Sequence, residues 1–457
     1  MRALPPGPEK LPAHLLLRWL RNPYPLLDEL RREYGETFTL RLGVMPPMVM
    51  LSNPEHIKEV FASNGDDMYA GKLAETLKPF LGARSLLLLD GPEHRWMRRL
   101  VLPPFHGERM QAYGQQMLDI ANDAIDAMPL GTPFAIHGPM QGITLEIILR
   151  TVFGVDDGAR RARFHKRLTE LLEIGTWPPL LLPIFQRDLG PWSPWGRFIR
   201  RMEEGEEDLR ALIEERRARL GEGSDDVLSL LLSARDEDGN ALSAQDLRDQ
   251  LITLLVAGHE TTATGLSWAM RWLLASPKAE EALRDEVASA EREGPLTPER
   301  IARMEFLDAV VRESLRLQPI VPLVGRVLQR PMRVAGMDLP EGVAVACSIY
   351  LAHRREGVWR DPERFDPWRF LEKRYTPSEW LPFGGGIRKC IGMAFALYEM
   401  KIVLAAMYSR CEFRFASDRP VRTVRRAITM APSQGVPVVL ESRVVRPRAQ
   451  GSLSACR

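Results

Sequence analysis

Cysteine is scarce in this chain. Its 457 residues include only four, Cys347, Cys390, Cys411 and Cys456, and no two form a Cys-x-x-Cys pair. A disulfide framework and a cysteine-built zinc site are both excluded, and a reducing compartment is expected. Long apolar runs are missing too. No stretch approaches the ~18 uninterrupted apolar residues of a membrane-spanning helix. The patch Leu15-Leu16-Leu17-Arg18-Trp19-Leu20 is short and broken by arginine. The first residues lack the charged, apolar and small-residue layout of a secretory signal. An excess of one charge is also missing. The 62 Lys and Arg nearly balance the 60 Asp and Glu, and a net +2 is too little to argue for nucleic acid. Phosphate-cradling motifs (Gly-x-x-x-x-Gly-Lys-Ser/Thr, Gly-x-Gly-x-x-Gly) are absent. His259-Glu260 has Ala263 where a zinc peptidase needs its second histidine. There is no internal repeat. With 45% apolar and 27% charged residues, the composition is that of a soluble, cytoplasmic globular protein.

What is present centres on Phe383-Gly384-Gly385-Gly386-Ile387-Arg388-Lys389-Cys390-Ile391-Gly392. Three glycines precede one cysteine, and Ile391, Ala394, Leu397, Met400, Val403, Leu404 and Met407 then recur at helical spacing. At a helix start, free N–H groups and the dipole favour a thiolate. The glycines allow backbone to approach a large flat ligand. Arg388 is placed to pair with an acidic group on it.

The rest of the chain orders around this stretch. Residues 1–21 are Pro-rich and read as an extended arm. Asn22-Pro23 opens a helix, Thr37 to Leu42 and Met48 to Leu51 read as strands, and Asn53 caps a helix over 54–63. Residues 66–92 form a long irregular connection. Gly91 to Arg99 opens a helix with His94 and Arg98 on one face. Helices continue to about residue 234, interrupted at Trp177–Pro194 by an apolar loop. Ser243 to Ala275 is a long apolar helix interrupted by Ala257-Gly258-His259-Glu260-Thr261-Thr262, where glycine, acid and hydroxyls break the local pattern. Glu305 to Leu317 is a helix carrying Glu313-Ser314-Leu315-Arg316. Short strands close the chain at Cys411 to Phe415 and Val436 to Leu440, and residues 443–457 read as a disordered basic tail.

The pattern Phe-x-x-Gly-x-Arg-x-Cys-x-Gly resembles the haem loop of the cytochromes P450 and is matched by Phe383, Gly386, Arg388, Cys390 and Gly392. Residues 257–262 resemble that family's oxygen-binding groove, Glu313 and Arg316 with Pro362-Glu363-Arg364-Phe365 its structural triad, and His94, Arg98 and Arg326 its propionate-binding residues. The resemblance spans about residues 22–441 and implies one mainly α domain (22–442) with a minor antiparallel β-sheet.

The resemblance also implies a function. Haem b (heme b) has Cys390 as its axial thiolate, Ala257 is among the residues that bind it, Gly258 makes room for O2, and Glu260 and Thr261 steer protons. His259, at a variable position, has no assigned role. Glu313, Arg316 and Arg364 form a buried network behind the haem. The expected activity is monooxygenation of a lipophilic substrate, a fatty acid or terpenoid, by a monomer. Electrons are expected from a separate ferredoxin or flavodoxin docking near Arg95, Arg99, Arg388 and Lys389. Lys72 or Lys78 is a candidate for holding a substrate carboxylate. A peroxide-using haem enzyme and a haem-thiolate sensor are the alternatives; the intact Glu260-Thr261 pair argues against the first.

Overall fold

The computed structural model describes residues 4–8, 13–43, 45–63, 65–106, 109–155, 157–175, 186–220 and 226–444. Helices dominate. They are α1 Ala13–Arg21, α2 Tyr24–Tyr34, α3 Pro54–Phe61, α4 Lys78–Leu81, α5 Gly91–Val101, α6 Arg109–Ala127, α7 His137–Thr151, α8 Gly158–Gly175, α9 Pro194–Ala218, α10 Val227–Ser233, α11 Ala244–Leu274, α12 Pro277–Arg292, α13 Pro298–Ala302, α14 Glu305–Leu317, α15 Ile349–Ala352, α16 Arg369–Glu372 and α17 Met393–Arg410. The strands are β1 Thr37–Leu40, β2 Met48–Leu51, β3 Met68–Tyr69, β4 Pro133–Ala135, β5 Leu323–Leu328, β6 Met332–Val334, β7 Met337–Leu339, β8 Ala344–Ser348, β9 Cys411–Phe415, β10 Thr423–Arg426, β11 Thr429–Pro432 and β12 Pro437–Arg443.

The largest sheet runs β1-β2-β8-β5-β3. Its pairings are antiparallel except for β2 with β8, where Met48 lies opposite Ala344 in parallel register. Four-residue strands are too short to stand alone. This sheet carries apolar residues on both faces, with Phe38, Leu40 and Met50 on one and Val49, Leu51 and Cys347 on the other.

The helical body is organised by α11. A capping box starts it: the Ser243 hydroxyl accepts from Asp246 N–H while the Asp246 carboxylate returns to Ser243 N–H. Its 31 residues run about 46 Å at 1.5 Å per residue. It is buried nearly all round, as a central helix must be. α17 is likewise enclosed, with Ile402, Val403, Leu404 and Ala405 without exposure. These two, with α7 and α14, form the scaffold behind the Cys390 loop.

Two expected boundaries change. Residues 4–8 do lie extended on the body, where Pro6 O accepts from Thr39 N–H at 2.8 Å and Pro5 O from Thr39 Oγ1 at 2.7 Å. Residues 13–21, however, are helical. The prolines stop at Pro12, and the apolar residues after them repeat at helical spacing, with Trp19 packed into the sheet's core. At the other end Arg443 belongs to β12 and donates to Ile125 O at 2.7 Å. The expected tail beyond Val444 and the apolar run Trp177–Phe185 lie outside the described residues. Next to that run, Leu189 and Trp192 are exposed while Trp195 is buried at the start of α9.

Candidate active site

The Cys390 loop is a tight backbone turn. Cys390 N–H donates to Phe383 O at 3.0 Å and Lys389 N–H to Gly386 O at 3.0 Å. Gly384 and Gly386 have φ of 63° and 64°, which side chains disfavour. The glycines answer to protein as much as to any ligand. A Cβ on Gly386 would sit 2.3 Å from Phe61 O, and one on Gly385 2.1 Å from the Phe61 ring. The end of α3 therefore presses directly on the loop. Gly392, by contrast, has nothing within 4 Å of a Cβ and caps α17.

The expected effect of a helix start on the sulfur is not what the structure shows. α17 begins at Met393, three residues past Cys390. Burial pushes the Cys390 thiol up, and the Gly392 N–H, Arg98 and Lys389 oppose this without overcoming it. A thiolate here requires a stronger positive partner, which a coordinated metal supplies. Cys390 nevertheless keeps accessible surface while lying deep in the protein, as a side chain lining an internal cleft does.

Basic side chains, three arginines and one histidine, converge on the same region from three elements. His94, 1% exposed, comes from α5 and has no partner at Nδ1. Burial, together with Arg388, Arg98, Arg326 and Arg95, lowers its pKa to about 3. Arg98, one turn on, stands half-buried beside Cys390. Arg326 reaches in from β5, 8% exposed, donating to Gly325 O at 2.8 Å and Gly385 O at 3.5 Å. Arg388 binds the Asp90 carboxylate, Leu86 O and Leu89 O, and burial depresses it to about 10 against the pull of Asp90. Three guanidinium groups thus face one carboxylate. Buried charge of one sign is costly without a counter-ion. A flat ligand with a metal at its centre and two acidic arms meets both demands, so these residues fit haem.

The middle of α11 is open on one side. Leu254, Ala257, Gly258 and Thr261 keep accessible surface at i, i+3, i+4 and i+7, while Leu251, Leu255, His259 and Glu260 around them are buried. Thr261 Oγ1 donates to Ala257 O at 2.5 Å, the back-bond that loosens a helix. Gly258 also answers to a neighbouring helix: a Cβ there would come within 3.1 Å of Ile148 Cδ1. Glu260 does not turn toward Thr261. Its Oε2 accepts from Gln141 Nε2 at 2.8 Å, and its Oε1 lies 3.4 Å from His137 Nε2 and 3.6 Å from Arg426 Nε. Burial works to raise this carboxyl, but His137, Arg426 and Gln141 together hold it below its ordinary value. His259 bonds Thr144 through Nδ1 at 2.9 Å, and burial lowers its pKa to about 4.

The buried network behind the loop differs from expectation in one member. Glu313 and Arg316 are fully buried, with Arg316 Nε 2.6 Å from Glu313 Oε2 and Nη2 2.8 Å from Oε1. The second arginine on Glu313 is Arg369, whose Nε donates to Oε1 at 3.1 Å. Arg364 contributes only its carbonyl, which accepts from Arg316 at 3.2 Å and from Arg369 at 3.4 Å, and its side chain is exposed. The sequence carries two near-copies of one pattern, Pro362-Glu363-Arg364-Phe365 and Pro367-Trp368-Arg369-Phe370, and the second points inward. Comparing the two would have exposed the ambiguity. His353 was also missed. Its Nδ1 donates to Arg316 O at 3.1 Å and its Nε2 accepts from Leu381 N–H at 3.0 Å, so one ring ties this network to the start of the Cys390 loop.

The expected basic docking patch is largely neutralised. Arg388 is only slightly exposed and bound to Asp90, Arg95 pairs with Asp66 at 2.5 Å and Arg99 with Glu237 at 2.9 Å. Lys389 remains exposed. Lys72 bonds Gln329 Oε1 at 2.8 Å, and Lys78 lies exposed on α4.

The profile described as Cytochrome P450 matches residues 5–437. Cytochrome P450 135B1 of Mycobacterium tuberculosis is 41% identical over 433 residues, covering 94% of this chain and 90% of the relative. Cytochrome P450 135A1 of the same species is 35% identical over 461 residues, covering 98% and 97%. A solved structure titled retinoic acid bound cyanobacterial CYP120A1 superposes with a TM-score of 0.82 at 24% identity, covering 96% of this chain and 99% of that one, a likeness of fold. Among the described residues no helix is long and apolar enough to cross a membrane. The chain belongs to the cytochrome P450 family and is a haem-dependent monooxygenase of that family.

Proposed function

We propose that Cys390 is the axial thiolate ligand of haem b, with His94, Arg98, Arg326 and Arg388 holding its propionates. Phe383 and Gly392 bracket the sulfur. The enzyme inserts one atom of O2 into a C–H bond of a lipophilic substrate. The observation that carries this reading is the gathering of three arginines, Arg326 buried and Arg98 and Arg388 partly so, with the buried His94, around a cysteine that keeps accessible surface; among the described residues Asp90 is the carboxylate that answers them. Haem bound by sulfur supplies the oxygen activation. The protein's part is positioning: the accessible stripe at Ala257, Gly258 and Thr261 borders the oxygen side, and Glu260 and Thr261 move protons there.

Leu254, Val256, Val321, Leu323 and Val324 keep accessible surface and are aliphatic, which suits an apolar substrate. A fatty acid or terpenoid is the class proposed. Retinoic acid, bound by the structural neighbour, is both a terpenoid and a carboxylic acid and belongs in the test panel. Electrons come from a separate ferredoxin or flavodoxin docking on the Cys390 side, where Lys389 is the exposed cation.

The test is optical. The carbonylated ferrous protein should show the red-shifted Soret band of a thiolate ligand, and Cys390→Ser should lose it. An unchanged band would remove Cys390 as ligand. Titration with fatty acids, terpenes and retinoic acid should then drive a low-to-high-spin shift that saturates with one class. No shift with any of them would remove the substrate assignment and leave the ligand assignment standing.

A further inference from the structure

A buried acid–base pair lies on the side of α11 turned away from its open stripe. His137, at the start of α7, is 4% exposed in its side chain, and Glu260 is 9% exposed. His137 Nδ1 lies 3.0 Å from Ser267 Oγ. Ser267 Oγ–H is directed to Ala263 O at 2.7 Å, so its lone pair faces the ring and Nδ1 must carry a proton. In a neutral ring Nε2 would then be bare, yet it faces Glu260 Oε1 at 3.4 Å. Both atoms are buried without a hydrogen-bond partner as they stand. Two acceptors cannot face each other in a dry interior unless a proton lies between them. Among the described residues, the other charged or titratable groups at this spot are Arg426 from β10, 3.6 Å from Glu260 Oε1, His259 from α11, and His165 from α8, which acts on His259. On the remaining side His137 is closed off by Gly435, where a Cβ would come 3.0 Å from its own.

We propose that His137 is the proton partner of Glu260: a proton lies between Nε2 and Oε1, and passing it from Nε2 to Oε1 breaks that N–H bond, forms a carboxyl O–H and leaves both groups neutral. The neutral carboxyl is no longer held by the charges of His137 and Arg426. It keeps only the Gln141 bond and is free to turn along the helix toward the Thr261 hydroxyl. Arg426, whose side chain is 33% exposed, marks the side from which water returns a proton to the ring. This role rests on the proposal that Glu260 and Thr261 serve the oxygen side. His137 is a positioning residue acting through Glu260.

The experiment is 15N NMR of histidine-labelled holoprotein in its diamagnetic carbonylated ferrous form, with His137→Gln used for assignment. Near neutral pH the His137 ring should carry protons on both nitrogens, and Glu260→Gln should return it to the neutral form. A neutral His137 ring in the unsubstituted protein, or a ring state indifferent to Glu260→Gln, would overturn the pairing. In oxygen-dependent turnover with a surrogate reductase, His137→Gln should lose the alkaline limb of the pH profile and release more peroxide per O2 consumed. An unchanged profile would overturn the role even if the pair exists. Should His137→Gln fail to fold, Ser267→Ala frees Nδ1 and should displace the profile in the same direction. The NMR result is independent of turnover, so failure of the oxygenase reading and failure of the pair are distinguishable.

Discussion

Replacing Arg369 should cripple this protein, and replacing Arg364 should not. Arg369 is 5% exposed; its Nε donates to Glu313 Oε1 at 3.1 Å and one Nη donates to Arg360 O at 2.8 Å. In Arg369→Gln, Glu313 keeps Arg316 and the Asp366 N–H, which donates to Oε1 at 2.9 Å, so its charge stays compensated. What is lost is one charge-assisted hydrogen bond, about 1.5–3 kcal/mol, and the donor to the Arg360 carbonyl, about 1–3 kcal/mol if that oxygen is left bare. The total, roughly 2.5–6 kcal/mol, brackets the usual ~3–5 kcal/mol cost of breaking a buried ion pair. Domains commonly have only about 5–15 kcal/mol in hand. Arg364→Gln removes an exposed side chain while its carbonyl still accepts from Arg316, so it should stay within about 0.5 kcal/mol. The assay is the urea midpoint of each purified variant together with its haem content. Equal losses in the two, or a stable, haem-replete Arg369→Gln, would refute the argument.

Other outcomes follow from the same geometry. Glu313→Ala should be worse than Arg369→Gln, because it leaves Arg316 and Arg369 buried and unpaired, and a soluble, haem-loaded variant would contradict this. His353 lies well below its ordinary pKa through burial and nearby Arg316, so the unfolded chain takes up that proton first. Its contribution is therefore full above pH ~6.5 and declines as pH falls, by up to about 1.4 kcal/mol per unit; denaturation midpoints from pH 7 to 5 should flatten in His353→Gln. Gly386→Ala combines a φ of 64° with a Cβ 2.3 Å from Phe61 O and should cost about 2–5 kcal/mol, read as loss of haem content. Reduction by a ferredoxin should depend only weakly on salt, because Arg95 and Arg99 are already paired; a steep salt dependence would restore a basic docking patch.

Local patterns were legible and long-range choices were not. The bounds of α14 and β9 and the Ser243 start of α11 follow from periodicity and capping, which depend on neighbours in sequence. α1 was misjudged because the prolines before it dominated the reading, although none lies inside the helix. The Arg364 error has a different cause. Two arginines five residues apart sit in nearly the same pattern, and only the fold decides which one faces Glu313. Phe61, pressed on Gly385 and Gly386 from more than three hundred residues away in sequence, left no trace in the loop that it shapes. The orientation of Glu260 was equally hidden, since Gln141, His137 and Arg426 come from two other elements.

The electrostatics of the site point one way when taken together. Burial is the leading cause that drives Cys390 toward its neutral form, keeps His94 neutral and depresses Arg388, and the crowded arginines add to it at the last two. Each of these groups is held away from its charged state by the same dry surroundings. A ligand that brings a cation to the sulfur and anions to the arginines reverses all of these tendencies at once. Its binding energy is then coupled to the folded form, because the unfolded chain cannot assemble the set. With Cys390 as the proposed ligand, the fold should therefore gain stability from haem out of proportion to a single metal–sulfur bond. Substitution of Arg326 or Arg98 should erode that gain in graded steps, whereas loss of Cys390 should remove its metal-centred part and leave the part carried by the arginines.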